Sequence, residues 1–486
     1  MPTADVPTAD VPVATEPWDL VVVGGGTAGM LGARTAVGLG ARVLLIESDR
    51  TGGDCLWTGC VPSKALQAAA AAAADARRAH RFGVDVGEVR VDFPRVMQHV
   101  HAAIAAIAPV DSPEALEAAG VRVCRGRAVF TGPDTVTVGG ATLRFRQALV
   151  ATGAGPSLPP LEGLGDVDTL TTDTVWELTA LPGRLVVIGG GSTGCELGQA
   201  FARLGSAVTI VESGARVLSG EDSDASAAIA ASLTADAVTV LTRSTAARVE
   251  RVGDGGVLQL ADGARVEFDA LLVATGRRPR TDGLGLETAG VLLGVDGTAR
   301  VDAHLRTTNP RIWAAGDVTG HPQYTHTAGV HGTVAAFNAF LGPLRRVDSR
   351  GEPRVTFTRP EVAAVGRSSA GRGGTVISWP HDKLDRGIAE GATAGFTRLM
   401  IDRRGRVVGA TVVGPRAGET IGELAVAVAQ KLTTSALAGV THPYPTHSDG
   451  AWNAAVADFR GRLGGPLAKR ALWALSHARR WWVRRG

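Results

Sequence analysis

The chain has 486 residues, 45% of them hydrophobic, which is enough material for roughly three domains with buried cores. The 50 Lys and Arg residues against 47 Asp and Glu leave a formal charge of +3, too small to indicate nucleic acid as a partner. Four cysteines do not make a secreted disulfide scaffold, and no stretch has the apolar core of a signal peptide or a membrane span, so we expect a globular enzyme of the reducing cytoplasm.

The first 17 residues differ in composition from those that follow. Residues 2–11 repeat the sequence Pro-Thr-Ala-Asp-Val twice. Pro, Ala and Thr also dominate up to residue 17, and no periodic apolar face is available to pack against a core. We therefore predict a disordered tail at residues 1–17.

The next segment has the pattern of a dinucleotide-binding β-α-β unit. An apolar run at residues 18–23 leads straight into three spaced glycines, and a helical pattern follows. In such a turn Gly24 permits the tight bend, Gly26 lets the backbone approach a pyrophosphate, and Gly29 allows the helix to pack closely on the strand. A second strand ends at Glu47, 18 residues beyond Gly29, where a carboxylate can accept hydrogen bonds from ribose hydroxyls. The segment predicts a first dinucleotide site.

Cys55 and Cys60 follow this unit directly. Their spacing closes a very short loop at the start of a predicted helix, where strain and the positive helix dipole both make a disulfide easier to reduce. Half of a zinc site is the alternative, but the other two cysteines, Cys124 and Cys195, form no second pair that would complete four ligands. We predict a redox-active disulfide beside a flavin, and no metal site.

The dinucleotide-binding pattern occurs a second time, after the apolar run at residues 184–188. Its three glycines are Gly189, Gly191 and Gly194. A second strand again ends in a carboxylate, Glu212, so two dinucleotides are implied. Glu212 would repel a 2'-phosphate, and residues 213–215 contain no arginine to receive one, so we expect NADH as the electron donor. Arg216 leaves NADPH open.

The cysteine segment resembles the active-site segment of the pyridine nucleotide-disulfide oxidoreductases, the flavoenzyme family that includes glutathione reductase, lipoamide dehydrogenase and mercuric reductase. The match holds in both the order and the spacing of residues 52–64. The resemblance implies that Cys55 meets the substrate and that Cys60 lies against the flavin. It also implies that Lys64 pairs with Glu196 of the second nucleotide domain. From the order of the nucleotide sites in the chain, it assigns FAD to the first and the nicotinamide nucleotide to the second.

Three later segments resemble the family's nucleotide-binding landmarks. Residues 150–153 and 273–277 each follow a strand-like run and resemble the two passages between the nucleotide domains. Residues 307–317 resemble the second flavin motif, whose aspartate, here Asp317, accepts a hydrogen bond from the ribityl chain. The alternative for Asp317 is a helix N-cap without a ligand. The remaining cofactor contacts that the resemblance implies are at Gly53, Lys64, Thr152, Gly153, Glu196, Gly276 and Gly316.

These landmarks divide the chain into three domains with a tail at each end. We predict an α/β fold with two Rossmann-like three-layer domains and a C-terminal α+β dimerisation domain. The FAD-binding domain comprises residues 18–155 and 283–350, and the NAD(P)H-binding domain comprises residues 156–282. The dimerisation domain comprises residues 351–463, where the sequence resembles the family's landmarks. The resemblance implies a homodimer whose active site is formed by both subunits.

The end of the dimerisation domain departs from the family pattern. Members that act on disulfides and dithiols carry a His-Pro-Thr segment and a glutamate there, whereas this chain has Tyr444 in place of the acid-base histidine and Asp449 in place of the glutamate. A phenol with a pKa of about 10 cannot shuttle a proton at neutral pH as an imidazole can. His447 would share a face with Tyr444 in a polyproline conformation and could take over, and His442 is a second candidate base. A polar turn at the dimer interface is the non-catalytic alternative.

We expect a homodimeric FAD enzyme that takes hydride from NADH, reduces the cysteine pair, and passes electrons from Cys55 to a small-molecule acceptor. The acceptor is a disulfide, another thiol-reactive compound or a metal ion. One alternative is reduction of a quinone or other small electrophile directly at the flavin. Another is a mercuric reductase-like enzyme, although the chain has no cysteine after Cys195 to supply the C-terminal pair of that enzyme. A non-catalytic redox sensor is the third.

The last segment, residues 464–486, has the pattern of a basic amphipathic helix. Lysines and arginines surround an apolar stripe at helical spacing. The stripe consists of Leu467, Ala471, Ala474, Leu475, Ala478 and Trp482. We expect the stripe to pack on the body of the protein with the arginines solvated. The alternative is a peripheral contact with the inner face of a membrane.

Overall fold

The computed structural model describes residues 16–484, so the predicted tail at residues 1–17 lies outside the described residues apart from its last two positions. The α/β fold class is confirmed, since parallel strands alternate with helices in two sheets and helices pack on an antiparallel third. The described chain groups into two compact units, residues 16–213 with 236–347, and residues 214–235 with 348–484. The finer domain boundaries given above stay a prediction.

The described strands are β1 Trp18–Val23, β2 Val43–Glu47, β3 Val121–Arg125, β4 Val129–Gly132, β5 Thr135–Val138, β6 Ala141–Val150, β7 Ala154–Pro156, β8 Thr169–Leu170, β9 Arg184–Ile188, β10 Ala207–Val211, β11 Thr239–Leu241, β12 Ala246–Val252, β13 Gly255–Leu260, β14 Arg265–Phe268, β15 Ala270–Val273, β16 Arg277–Pro279, β17 Ile312–Ala314, β18 Pro353–Thr356, β19 Glu361–Gly366, β20 Thr375–Pro380, β21 Phe396–Ile401 and β22 Val407–Gly414.

The described α-helices are α1 Thr27–Gly38, α2 Gly53–Trp57, α3 Cys60–Arg78, α4 Phe93–Ile107, α5 Pro113–Ala118, α6 Ser192–Leu204, α7 Ser223–Ala235, α8 Thr325–Leu341, α9 Asp385–Ala389, α10 Ala417–Ala429, α11 Thr434–Ala438, α12 Asp449–Leu463 and α13 Pro466–Val483.

The first sheet is built around β1, which pairs in parallel with β2 on one side and β6 on the other. Its order is β3-β2-β1-β6-β5-β4, with β17 also on β6. Residues 20–23 are buried on both faces, which is why this run shows no polar alternation. Helices α1 and α8 pack on each other so closely that a Cβ at Gly332 would lie 2.1 Å from the carbonyl oxygen of Ala28. This packing fixes the position of α1, and with it the turn at the carboxyl end of β1.

The second sheet repeats this construction around β9. Its order is β11-β10-β9-β15-β8, and all of these pairs are parallel. Residues 185–188 are buried, and α6 connects β9 to β10 as α1 connects β1 to β2. A separate antiparallel sheet, β12-β13-β14, follows along the chain. The molecule therefore contains two β-α-β units that end in equivalent turns.

The C-terminal unit has a five-stranded antiparallel sheet of order β18-β19-β22-β21-β20. Helices α10 and α12 cover one face, and apolar residues such as Val365, Leu399 and Leu424 form its core. Helix α7 belongs to the same unit, where Arg398 of β21 donates to Asp222 and Asp224 at 2.6 Å each. The sheet and its helices carry the segment in which Tyr444 and Asp449 lie.

Helix α13 forms where the basic amphipathic segment was predicted, but it does not pack as expected. Every described side chain from Lys469 to Arg484 is exposed, including those of Leu475 and Trp482. The expectation that the apolar stripe packs on the body of its own chain is therefore wrong. Across residues 16–484, no helix is both long enough and apolar enough to cross a lipid bilayer.

Candidate active site

The turn between β1 and α1 is so tight that only glycine fits at two of its positions. Gly24 has φ +106°, and a Cβ there would lie 2.4 Å from the carbonyl oxygen of Ala151. A Cβ at Gly29 would lie 1.9 Å from the carbonyl oxygen of Gly24. No side chain caps the N-terminus of α1, so its backbone amides remain available to an anion. The residues fit the pyrophosphate of a dinucleotide.

The surroundings of this turn also fit the rest of a dinucleotide. Glu47, at the end of β2, accepts a hydrogen bond from the backbone N–H of Gly25 at 2.5 Å, which holds the carboxylate beside the turn. Gly53 has φ +61°, and a Cβ there would lie 2.7 Å from Cα of Gly26. A cavity of about 970 Å³ opens here, and its lining includes Glu47, Thr51 and Val123. This space is suited to an adenosine end of FAD.

The turn between β9 and α6 has the same geometry. Gly189 has φ +112°, with a Cβ position 2.4 Å from the carbonyl oxygen of Ala274, and a Cβ at Gly194 would lie 1.9 Å from the carbonyl oxygen of Gly189. Glu212 accepts from the backbone N–H of Gly190 at 2.8 Å. Gly191 and Gly276 each face open space, since a Cβ at either position would meet no other atom within 4 Å. The structure thus provides a second nucleotide cradle.

The second flavin motif brings together charged residues from distant parts of the sequence. Asp317 follows Gly316 at the end of β17, and burial raises the pKa of its carboxyl although Arg277 lies 3.6 Å away. Arg277 also pairs with Asp54, the residue before Cys55. The N-cap alternative for Asp317 is wrong, because the short 3-10 turn begins at Gly316 and its N-cap position is Ala315. The network links the flavin motif to the cysteine segment.

The passage at residues 150–153 lies beside the same network. Gly153 has φ +69°, which allows the bend after β6, and its carbonyl oxygen accepts from the backbone N–H of Arg280. The hydroxyl of Thr152 donates to the carbonyl oxygen of Arg280 at 2.7 Å. Arg280 in turn lies 3.2 Å from Asp54. Thr152 and Gly153 therefore join the first nucleotide cradle to the segment that carries the cysteines.

Cys60 is the first residue of the 19-residue helix α3, where the helix dipole favours a thiolate. A hydrogen bond from Cys55 lowers the pKa of Cys60 to about 6, with Thr325 and the charge of Lys64 acting in the same direction and desolvation opposing them. The Sγ of Cys60 lies 3.2 Å from Oγ1 of Thr325. The same pairing and burial raise the pKa of Cys55. Both shifts favour the thiolate at Cys60 over the thiolate at Cys55.

Lys64 is fixed one turn after Cys60 by an ion pair with the second nucleotide unit. Its Nζ lies 2.8 Å from Oε2 of Glu196, a buried residue of α6. Gln67 donates to the same oxygen at 2.7 Å. The structure therefore brings together the lysine and glutamate that the sequence paired. Sequence reasoning missed Thr325, which is 265 positions from Cys60 and has no local signal of its own.

At the end of the C-terminal unit, Tyr444 and His447 lie in different environments. Tyr444 is 72% exposed, and its hydroxyl donates to Asp385, which raises the pKa of the phenol. His447 is buried, and its Nε2 lies 2.9 Å from Oε2 of Glu390. The expected shared face is therefore not formed, because one side chain faces solvent and the other faces the interior. Nδ1 of His447 is buried, and Nε2 is engaged by Glu390.

His442 and Asp449 are also engaged within the same segment. Nδ1 of His442 bonds to the carbonyl oxygen of Val440 at 2.9 Å and Nε2 to Glu423 at 2.7 Å, so both ring nitrogens are occupied. Burial, the largest single influence, lowers the pKa of His442, but the hydrogen bonds to Glu423 and Val440 and the nearby carboxylates together raise it. Asp449 accepts from the backbone N–H of Thr446 at 3.1 Å and from its hydroxyl at 3.2 Å. This carboxylate holds the turn that begins α12, and in this chain it does not orient Tyr444.

Two dinucleotide cradles and a polarised cysteine pair at a helix N-terminus define a flavin-dependent disulfide oxidoreductase. Comparison with known proteins gives the family. Residues 18–332 match the family described as pyridine nucleotide-disulphide oxidoreductase, and residues 352–455 match its dimerisation domain. The chain belongs to this family. It is therefore an enzyme that uses FAD and NAD(P)H, as the sequence predicted, and its dimerisation domain indicates a homodimer.

The names of the similar proteins refer to different reactions. A mercuric reductase of Streptomyces lividans is 38% identical over 447 residues, which cover 89% of this chain and 94% of that protein. A dihydrolipoyl dehydrogenase of Thermus scotoductus is 35% identical, covering 90% and 97%. LpdA from Mycobacterium tuberculosis has a structure with a TM-score of 0.82 at 32% identity, covering 90% of this chain and 99% of that one. A Cu(II) complex of the HOCl-induced flavoprotein disulfide reductase RclA from Escherichia coli also has a TM-score of 0.82, at 26% identity, covering 91% and 100%.

Proposed function

We propose that this enzyme oxidises NADH and reduces a thiol-reactive acceptor through the Cys55–Cys60 pair. The observation that carries the proposal is the unequal polarisation of the two cysteines, with the pKa of Cys60 lowered to about 6 and that of Cys55 raised. When bound, FAD supplies the two-electron relay between a nicotinamide and a disulfide. Cys60 is held as the thiolate by Thr325 and Lys64. The family resemblance assigns the contact with the acceptor to Cys55, which is half-buried, and the position beside the flavin to Cys60, which is exposed in this chain.

The preference for NADH rests on the second nucleotide cradle. Glu212 is held at the end of β10 by the backbone N–H of Gly190, where its carboxylate can accept from ribose hydroxyls and repels a 2'-phosphate. Arg216, the residue that left NADPH open, donates to the carbonyl oxygens of Ser219 and Glu221 in its own loop, at 2.7 and 2.8 Å. One terminal nitrogen of its guanidinium is therefore held within this loop. A reducing cytoplasm supplies NADH and keeps the buried Cys124 and Cys195 as thiols.

The acceptor follows from the proton chemistry available at the end of the C-terminal unit. In the proposed homodimer this segment completes the active site of the partner subunit, with Tyr444 as its exposed polar group. His442 and His447 are both committed to carboxylates, so no imidazole is poised to protonate a departing thiolate. An acceptor that needs no such proton is favoured. A thiophilic metal ion and a disulfide that releases an acidic thiol both meet this condition.

In the first experiment, the purified flavoprotein is assayed with acceptors that differ in the leaving group they release. NADH oxidation is measured with an aromatic disulfide that releases an acidic thiol, with lipoamide, with Hg(II), with Cu(II) and with a soluble quinone. We expect the aromatic disulfide or a metal ion to react at least about 10²-fold faster than lipoamide, because general acid catalysis of that size is missing. Cys55→Ser should abolish these activities, and Cys124→Ala, a buried cysteine outside the site, should keep them.

Two results would contradict the proposal. Equal rates with lipoamide and the aromatic disulfide would show that a proton donor is present after all. Quinone reduction that is the dominant activity and survives in Cys55→Ser would place the reaction directly at the flavin instead of at the cysteines.

A further inference from the structure

Helix α13 leaves an unusually large apolar surface uncovered. Leu475 is 67% exposed, Trp481 is 58% exposed and Trp482 is 69% exposed. At 100° per residue these three side chains and Ala478 lie within one side of the helix. Trp473 lies on the other side, with its ring 3.9 Å from that of His477. An exposed apolar surface of this kind is typical of a site that binds another apolar surface.

The charge of this helix is opposite to that of the rest of the chain. Residues 466–486 contain six basic residues and no Asp or Glu. The basic residues are Lys469, Arg470, Arg479, Arg480, Arg484 and Arg485. Because the whole chain carries +3 and this segment carries +6, the remaining residues sum to −3. Attraction to an anionic surface is therefore concentrated at α13.

We propose that α13 binds flat on an anionic lipid bilayer. Leu475 and Trp482 would enter the boundary between headgroups and acyl chains, while arginines such as Arg479 and Arg480 bind the lipid phosphates. With basic residues beside its apolar side chains, α13 would lie in the plane of the interface and not across the bilayer. This contact is independent of the identity of the electron acceptor, and it goes beyond the redox function proposed above.

Two other occupants fit the observations less well. A nucleic acid would attract the arginines, but it offers no apolar phase to Leu475 and Trp482. A second copy of α13 would cover the stripe, but it would bring six further positive charges against the first six. An anionic bilayer satisfies both the apolar stripe and the charge.

The test uses the full-length FAD-loaded enzyme and sedimentation with vesicles. Vesicles of phosphatidylcholine with phosphatidylglycerol are compared with vesicles of phosphatidylcholine alone. We expect binding to the anionic vesicles that weakens with added salt. The triple change Arg479→Gln, Arg480→Gln, Arg484→Gln should lower the affinity on the order of a hundredfold, since each basic residue near an anionic surface contributes about 1 kcal/mol. Leu475→Ser with Trp482→Ser should lower it at unchanged charge.

The control, which removes two positive charges where the α13 variant removes three, lies in the turn between β21 and β22. Arg403 and Arg404 are exposed there, so Arg403→Gln with Arg404→Gln removes charge from the same unit without touching α13. This double variant should bind vesicles as the wild type does. NADH oxidation should be unchanged in this variant and in the α13 variants. Equal binding to both kinds of vesicle, or an equal loss in the control, overturns the proposal. An absence of vesicle binding also overturns it. If the α13 variants then change the oligomeric state or the binding to duplex DNA, the helix has one of those partners instead.

Discussion

The cysteine segment and the segment around Tyr444 are the two halves of the proposed catalytic machinery, and they differ in how completely they are built. In the first, Lys64, Glu196 and Thr325 converge on Cys60 from three separate elements. In the second, His442 and His447 bond to carboxylates of their own unit, while the side chain of Tyr444 is exposed to solvent. The difference indicates that electron transfer, which we assign to the first segment (the electron half), and proton transfer, which we assign to the second (the proton half), rest on separate parts of the chain. Both histidines of the proton half are already bonded to carboxylates.

The largest expected effect comes from restoring the missing proton donor. Tyr444→His with Asp449→Glu introduces an imidazole and its carboxylate partner at the exposed position. We expect the rate of lipoamide reduction to rise by about 10²-fold, measured as NADH oxidation, because general acid-base catalysis is typically worth that much. Tyr444→Phe, which removes only the hydroxyl, should leave lipoamide reduction slow. If the double variant folds, binds FAD and shows no gain, the proton half is not what limits lipoamide turnover.

A second prediction concerns the electron half and its dependence on pH. The reduced enzyme should show the long-wavelength absorbance of a thiolate beside the flavin above pH 6 and lose it as the pH falls through about 6, the pKa of Cys60. Lys64→Met removes a positive charge that lowers this pKa, so the absorbance should disappear at a higher pH and be weaker at pH 7.

The control for this change is Gln67→Ala, which alters the same Glu196 carboxylate without changing the charge. Its titration should stay near that of the wild type. An unchanged titration in Lys64→Met would show that the hydrogen bonds of Cys55 and Thr325 alone set the thiolate.

The smallest expected effect is on stability, in the proton half. The pKa of His442 is raised in the folded state through Glu423, so this pair stabilises the fold below the unfolded pKa of about 6.5, and the contribution is lost as the pH rises through the folded pKa. Glu423→Gln should lower the free energy of unfolding at pH 6 by about 0.5 kcal/mol and have less effect at pH 9, measured by urea unfolding. Turnover should not change. A loss of activity with intact stability would instead give His442 a catalytic role.

Much of the fold and of the electron half could be predicted because the signals are local. Gly24 and Gly29 mark a turn that no side chain can enter, and the same spacing recurs at Gly189 and Gly194. Cys55 lies in the short helix α2 and Cys60 begins α3, so only a few consecutive residues set their spacing. The partners of His442 and His447 could not be read in this way, since Glu423 and Glu390 are 19 and 57 positions distant and follow no motif.

The sequence by itself determined the two nucleotide turns, the reactive cysteine pair, the family and the amphipathic pattern of α13, because each depends on residues that are neighbours in the chain. Only the tertiary structure decided that Thr325 supports Cys60, that His447 is buried while Tyr444 is exposed, and that the stripe of α13 stays uncovered. The physical reason is that burial and hydrogen-bond pairing depend on which distant surfaces meet. Local spacing establishes what a side chain is able to do, and its neighbours in space decide whether it remains available to do it.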